Sequence, residues 1–175
     1  MVAIGLSSGF LEPLESTSLH LIQSGISKLL ALWPDRDFNP LTAAEYNRLS
    51  IHEFERIRDF IILHYHLNQR EDSAFWKQCA AMAIPDTLAE KLALFRSSGR
   101  TRRVDGELFT EVAWLQVMEG QNLVPESWHP LTDLIDDDET AAYLDGVRDV
   151  IAKCVDVMPD HDAYLRAHCA AARGG

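Results

Sequence analysis

The chain has 175 residues, of which 47% are hydrophobic and 25% charged, as in an ordinary globular domain, so wholesale disorder is excluded. Its 16 basic and 27 acidic side chains give a net charge of −11, which argues against nucleic acid or anionic membrane as partners. The apolar runs are too short to span a bilayer. Three widely spaced cysteines without a CxxC pair predict no disulfide framework, no metal site and a cytoplasmic location.

The N-terminal segment is continuously apolar over residues 1–6 and is closed by Ser7, Ser8 and Gly9. It lacks the basic region and the length of a secretion signal. This pattern predicts a short strand that is buried on both faces. We find no second strand of this kind downstream, so the strand is expected to be an orphan whose sheet lies outside this chain. A helical domain with a disordered N-terminal tail is the alternative.

The rest of the chain has helical periodicity. Pro13 turns the chain, and residues 16–18 are competent N-caps for a helix that Pro34 ends. Thr42 and Glu45 have the form of a capping box, which predicts the start of the longest helix. Further helices are predicted from Ser73, from Pro85 to Gly99, from Phe109 to Gly120, from Asp138 to Cys154 and around Tyr164. The expected fold class is mainly α with one orphan strand.

His64 and His66 lie near the end of the longest predicted helix. Residues two apart on a helix point to different faces, so this pair is not expected to bind a metal. His64 falls at the end of the apolar stripe that is predicted to face the core.

Residues 6–19 are the most informative segment for function, because a Ser/Thr-rich helix start follows a turn there. The backbone N–H groups at a helix N-terminus are unpaired and form a ready anion site. A carboxylate beside an anion site is electrostatically unfavourable, so stability alone does not explain Glu15 at this position. In the simpler interpretation, Ser16 and Thr17 only cap the helix and Glu15 is a first-turn carboxylate.

Residues 5–18, with the sequence GLSSGFLEPLESTS, closely resemble the signature of the flavin-dependent tryptophan halogenases. Agreement extends to residues 58–65, to the Phe75–Trp76 pair and to residues 106–114. The resemblance covers the whole chain but only the C-terminal portion of the family's longer sequence. It implies a helical, substrate-side part of an enzyme that is α+β as a whole.

The resemblance also implies a division of this chain at residue 19. Residues 1–19 would be the end of a flavin-domain strand, the turn that meets halide and flavin, and a helix start. Residues 20–175 would cover the substrate.

Members of that family use reduced FAD, oxygen and halide to form an oxidant that a lysine and a glutamate direct to an aromatic substrate. The resemblance implies these roles: catalysis by Glu15 and Ser16, halide binding by Thr17 and Ser18, flavin contacts by Leu6 and Leu19, and substrate contacts by Glu15, Phe109 and Trp114. It further implies chloride or bromide as co-substrate and a separate flavin reductase that supplies the reduced FAD. A homodimer is left open.

Two departures from the family pattern concern cofactor and substrate. The nucleotide-binding glycine motif, the catalytic lysine and the Trp-x-Trp-x-Ile-Pro segment belong upstream and are not in this chain. Members that act on free tryptophan carry a tyrosine pair and a glutamate ahead of Phe-Trp, where this chain has Arg102, Arg103, Phe109 and Ala113. The resemblance therefore favours an indole-like or other aryl substrate over free tryptophan.

Two other functions stay open beside halogenation. One is a flavin monooxygenase that hydroxylates on the same scaffold, and the other is a non-enzymatic helical interaction module. The retention of Glu15, Ser16 and Thr17 favours halogenation, because a bare scaffold has no need for that combination.

Overall fold

The computed structural model describes residues 1–169, which form seven α-helices and three short 3₁₀ segments without a strand in that range. The α-helices are α1 (Ser18–Ala31), α2 (Pro40–His66), α3 (Ala74–Ala80), α4 (Asp86–Ser98), α5 (Glu111–Gly120), α6 (Asp137–Val157) and α7 (His161–His168). The 3₁₀ segments are Gly5–Ser7, Pro13–Glu15 and Pro130–Leu134. The predicted, mainly helical fold class is confirmed.

The predicted N-terminal strand is wrong for this chain. Ile4 has extended backbone angles, but Gly5 has a φ of 67° and opens a 3₁₀ turn. The Ser7 hydroxyl accepts the Ile4 amide at 3.2 Å and donates to the Ile4 carbonyl at 2.9 Å. A strand needs a neighbour that pairs with these groups, and none exists in residues 1–169, so local hydrogen bonds take its place.

The longest helix, α2, begins earlier than its capping-box pattern predicted. The Asn39 side chain accepts the Leu41 amide at 2.9 Å, and Pro40 occupies the first helical position. Proline is favoured there because its missing N–H has no intrahelical partner in any case. Thr42 and Glu45 therefore lie inside the helix, and the predicted start is wrong by a few residues.

The other helix ends lie closer to the positions predicted from the sequence. Ser73 caps α3 by accepting the Trp76 amide, and Gly99 ends α4 with a φ of 64°, as a glycine C-cap should. The cap of α6 is Asp136, whose side chain accepts the amide of Asp138, the residue predicted as the cap. Carboxylates at this N-terminus also suit the helix dipole.

Residues 1–129 form one compact unit with α2 at its centre. The larger hydrophobic cluster joins α2 to α4 and α5 through Phe60, Leu63, Leu88, Leu92, Phe95, Trp114 and Met118. A smaller cluster joins α1 to α2 through Leu21, Ile57 and Ile61. Each fully buried side chain of this size contributes about 1.5–3 kcal/mol, so α2 is firmly held along its second half.

A second unit begins at Pro130 and contains α6 and α7. The first turn of α6 is acidic, whereas its apolar side chains are exposed, among them Tyr143, Val147 and Ile151. Within residues 1–169, no helix combines the length and the apolar character that a membrane span requires.

Candidate functional site

The turn between Glu12 and α1 brings two carboxylates to the C-terminal end of α2. Residues Pro13–Glu15 form a 3₁₀ segment, which Ser16 closes by donating its amide to the Pro13 carbonyl at 3.0 Å. Ser16 has left-handed backbone angles, with φ 53° and ψ 33°. This conformation costs a non-glycine residue about 1–3 kcal/mol, and such strain is concentrated at functional sites.

The carboxylate of Glu15 pairs with His64. Oε1 of Glu15 lies 3.0 Å from Nε2 of His64, and the two side chains are 32% and 19% exposed. The other ring nitrogen, Nδ1, lies 2.8 Å from the carbonyl oxygen of Phe60, one turn earlier in α2. Since a carbonyl oxygen can only accept, Nδ1 carries a proton.

The carboxylate of Glu12 pairs with Tyr65, the next residue of α2. The Tyr65 hydroxyl donates to Glu12, and this hydrogen bond to a carboxylate raises the pKa of Tyr65 to about 12. The Tyr65 ring stacks on Trp76 of α3, with ring centroids 5.9 Å apart. Consecutive residues of one helix thus each hold one acidic side chain of the turn.

The N-terminus of α1 directly follows the turn and has no side-chain cap. Thr17 is the N-cap residue, yet its side chain makes no capping hydrogen bond. The first intrahelical bond runs from the Leu21 amide to the Thr17 carbonyl at 2.9 Å, so the amides before Leu21 have no intrahelical acceptor. Thr17 is only 2% exposed, and its hydroxyl has no hydrogen-bond partner in the described part of the chain. These are features that suit an anion.

The family model for tryptophan halogenase matches residues 1–137. The chain belongs to the tryptophan halogenase family. It is 48% identical to Xcc4156, a flavin-dependent halogenase from Xanthomonas campestris, with a TM-score of 0.93 over 99% of this chain and 35% of that chain. It is 46% identical to BrvH, a flavin-dependent halogenase from Brevundimonas sp. BAL3, with a TM-score of 0.90 over 95% of this chain and 34% of that chain.

A third relative is the 7-chloro-L-tryptophan 6-halogenase KtzR of Kutzneria sp. (strain 744). It is 31% identical over 171 residues, which are 94% of this chain and 32% of KtzR. This chain therefore spans about a third of the length of these relatives.

The two residues predicted to contact flavin lie on the surface of this chain. Leu6 is 76% exposed and Leu19 is 79% exposed, so both offer apolar side chains to a partner surface. The chain carries no glycine-rich nucleotide motif, so its residues fit the ring of a flavin and not its pyrophosphate. Thr17 and Ser18 stand at the uncapped N-terminus of α1, which fits the halide.

The two predicted aromatic contacts are placed differently. Trp114 is 1% exposed, with the Phe60 ring edge-on at 4.8 Å and the Lys91 ammonium 4.3 Å from its ring centroid. Trp114 is a core residue of this chain, and its role as a substrate contact stays a prediction. Phe109 stacks on Phe60 at 3.8 Å and remains partly exposed.

Sequence reasoning missed His64 as the partner of Glu15 and Tyr65 as the partner of Glu12. The available signal was residues 58–65, which resemble the family and end in His64 and Tyr65. From the sequence, His64 was predicted only to end the core-facing stripe of the longest helix and to bind no metal. No cluster of metal-binding side chains is found among residues 1–169.

Proposed function

We propose that this chain is the substrate-side part of a flavin-dependent halogenase that acts on an indole-like or other aryl compound. The observation that carries the proposal is the Glu15 carboxylate, held 3.0 Å from His64 and two residues before the uncapped N-terminus of α1. A carboxylate and an anion site so close together destabilise one another, which makes a purely structural role for both a poor explanation.

When bound, reduced FAD with oxygen supplies the oxidising equivalents that turn halide into an electrophile. The unpaired amides at the start of α1 and the unpartnered Thr17 hydroxyl bind the halide. Ser16, with its left-handed backbone, lies in the chain between Glu15 and these amides. It therefore separates the catalytic carboxylate from the halide site. Leu6 and Leu19 contact the flavin ring through their exposed apolar side chains.

Glu15 then acts on the aromatic ring. Electrophilic attack places positive charge on the ring, and the carboxylate stabilises that charge. Glu15 accepts the proton that leaves the attacked carbon, while the C–H electron pair restores the aromatic system. The nucleotide cradle and a lysine would come from the part of the family sequence that precedes this chain, and a separate flavin reductase would supply the reduced FAD.

The sequence from Arg102 to Ala113 supports the proposed substrate class. The paired tyrosine and glutamate that the family uses to grip the amino-acid part of tryptophan are replaced here by Arg102, Arg103, Phe109 and Ala113. Phe109 is partly exposed and offers an apolar contact. An aryl compound without the amino-acid part fits these residues better than free tryptophan.

The test is an activity assay of the complete polypeptide, meaning this chain joined to the flavin-binding portion that precedes it in the relatives. Indole and free tryptophan are supplied separately, each with chloride or bromide, reduced FAD and oxygen, and the products are identified by mass spectrometry. We expect halogenated indole to form faster than halogenated tryptophan. A hydroxylated product would instead support the monooxygenase, and flavin oxidation without any aryl product would contradict the proposal.

A further inference from the structure

His64 is anchored to the core before it reaches Glu15. Its Nδ1–H donates to the carbonyl of Phe60, and its ring meets the Phe60 ring edge-on, with centroids 5.0 Å apart. Phe60 is buried and stacks on Phe109. The imidazole is thus fixed by a hydrogen bond and by packing, and its Nε2 points at the turn that carries Glu15.

Nε2 of His64 and Oε1 of Glu15 are in close contact. The proton on Nδ1 is required by the Phe60 carbonyl, which can only accept. Nε2 faces a carboxylate oxygen at 3.0 Å, a contact that would be repulsive between two bare lone pairs. A proton on Nε2 removes this repulsion and makes the contact an ion pair, which occupies Oε1.

The second oxygen of Glu15 is left open. No hydrogen bond to the Glu15 carboxylate is found in residues 1–169, its one close contact there being the ion pair with His64, and the side chain is about one-third exposed. Building on the proposed function, we infer that His64 is a positioning residue: its Nε2–H holds Oε1 of Glu15 and so reserves Oε2 for the substrate. The ring proton goes to Oε2, and the electron pair of the broken C–H bond returns to the ring.

This role differs from simple neutralisation of the Glu15 charge. Any nearby cation or donor would neutralise the charge without fixing the orientation of the carboxylate. An anchored imidazole fixes the direction of the carboxylate, and a misplacement of about 1 Å in such a group can cost about 10²-fold in rate. Tyr65 and Glu12, one helix position and three turn positions away, form a second pair of the same kind. That pair provides a control in which a donor is removed from the neighbouring carboxylate.

The kinetic test uses the complete polypeptide with the variants His64→Phe, His64→Gln and the control Tyr65→Phe. Phenylalanine fills the space without a donor, whereas glutamine keeps an N–H for Oε1. We expect His64→Phe to lower kcat for aryl halogenation about 10–100-fold, with KM and the rate of hypohalite formation unchanged. His64→Gln should recover most of that loss, and Tyr65→Phe should lower kcat less than threefold.

The inference is overturned if His64→Phe keeps the unmutated kcat, if glutamine and phenylalanine are equally impaired, or if hypohalite formation falls in parallel. A general loss of fold would lower hypohalite formation too, so it is recognised by that readout.

A second measurement separates this inference from the proposed function. In ¹⁵N-labelled 175-residue chain, NMR reports which ring nitrogens of His64 carry hydrogen. We expect a hydrogen-bonded proton on Nε2 that disappears in Glu15→Ala, while the Nδ1 proton persists because the Phe60 carbonyl remains. If this result is obtained and the unmutated enzyme makes no halogenated aryl, the pair stands and the proposed function fails. A bare Nε2 would overturn the pair whatever the activity.

Discussion

The last two turns of α2 contact two regions of opposite character, the apolar core and the turn of residues 12–15. Phe60 and Leu63 lie in a buried apolar cluster, whereas His64 and Tyr65 hold the two carboxylates of residues 12–15. The cluster is closely packed and conformationally ordinary. The turn contains a left-handed serine, an uncapped helix start and a buried hydroxyl without a partner. Stability thus resides in the core, and the features that cost stability gather where chemistry is proposed.

The largest expected effect is on the core side of this comparison. Phe95→Ala removes a fully buried ring and should lower the free energy of unfolding by about 3–5 kcal/mol. Urea unfolding followed by circular dichroism measures it. An exposed phenylalanine gives the control, because Phe75→Ala should change stability by less than about 1 kcal/mol. Equal losses from both variants would contradict the assignment of the core.

Glu15→Gln should give the next largest effect, on the turn side. It keeps the shape of the side chain but removes the charge that stabilises the ring cation and accepts its proton. In the complete polypeptide we expect aryl halogenation to fall about 10²-fold or more, with flavin oxidation and hypohalite formation spared. Peroxide release, hypohalite trapping and halogenated product are measured in parallel.

Glu12→Gln is the matched control for Glu15→Gln, since Glu12 is in the same turn and also pairs with a side chain of α2. It should leave halogenation within about threefold of the unmutated rate, which is small beside the 10² or more expected from loss of a general base. If the two variants behave alike, Glu15 is not the catalytic carboxylate.

A smaller effect is expected from the backbone of Ser16. Ser16→Val places a β-branched residue at a φ of 53° and should destabilise the chain by about 1–2 kcal/mol. Ser16→Gly should be neutral or slightly stabilising, since glycine adopts this conformation freely. Thermal unfolding distinguishes them, and a valine variant as stable as the glycine variant would show that the turn is not strained.

Tyr65 should ionise at a higher pH than an unperturbed tyrosine. Its pKa is raised to about 12 by the hydrogen bond to Glu12, so the hydroxyl stays protonated near pH 10, where an unperturbed tyrosine titrates. A folded-state pKa above the unfolded value stabilises the fold below about pH 10, and that contribution is lost as the pH rises toward about 12. Ultraviolet absorbance of the chain against pH measures the ionisation. In Glu12→Gln the late phase should move toward pH 10, and an unchanged profile would refute the pairing.

The smallest signal is expected from flavin itself. Leu6 and Leu19 can contact a flavin ring, but the chain lacks a glycine-rich cradle for the pyrophosphate. Fluorescence titration of the 175-residue chain with FAD should therefore show weak or undetectable binding. A submicromolar Kd would show that this part of the enzyme holds the whole cofactor.

Local signals in the sequence were enough for most helices. Pro34, Ser73 and Gly99 mark helix ends because a missing N–H, a side-chain acceptor and a free φ act over a few residues only. The start of α2 was missed because Asn39 and Pro40 cap it outside the apolar pattern. The orphan strand was wrong because, without a partner in residues 1–169, local hydrogen bonds turn the chain at Gly5.

The sequence by itself determined the family resemblance and the position of Glu15, because residues 5–18 form one continuous motif. Only the tertiary structure decided which residues hold that carboxylate and which aromatic side chains are open. His64 is 49 positions from Glu15 along the chain, and the burial of Trp114 depends on how α2, α4 and α5 pack. Many apolar side chains become buried when the helices pack, and this packing decides which distant residues meet. The residue types at the two positions do not reveal the contact.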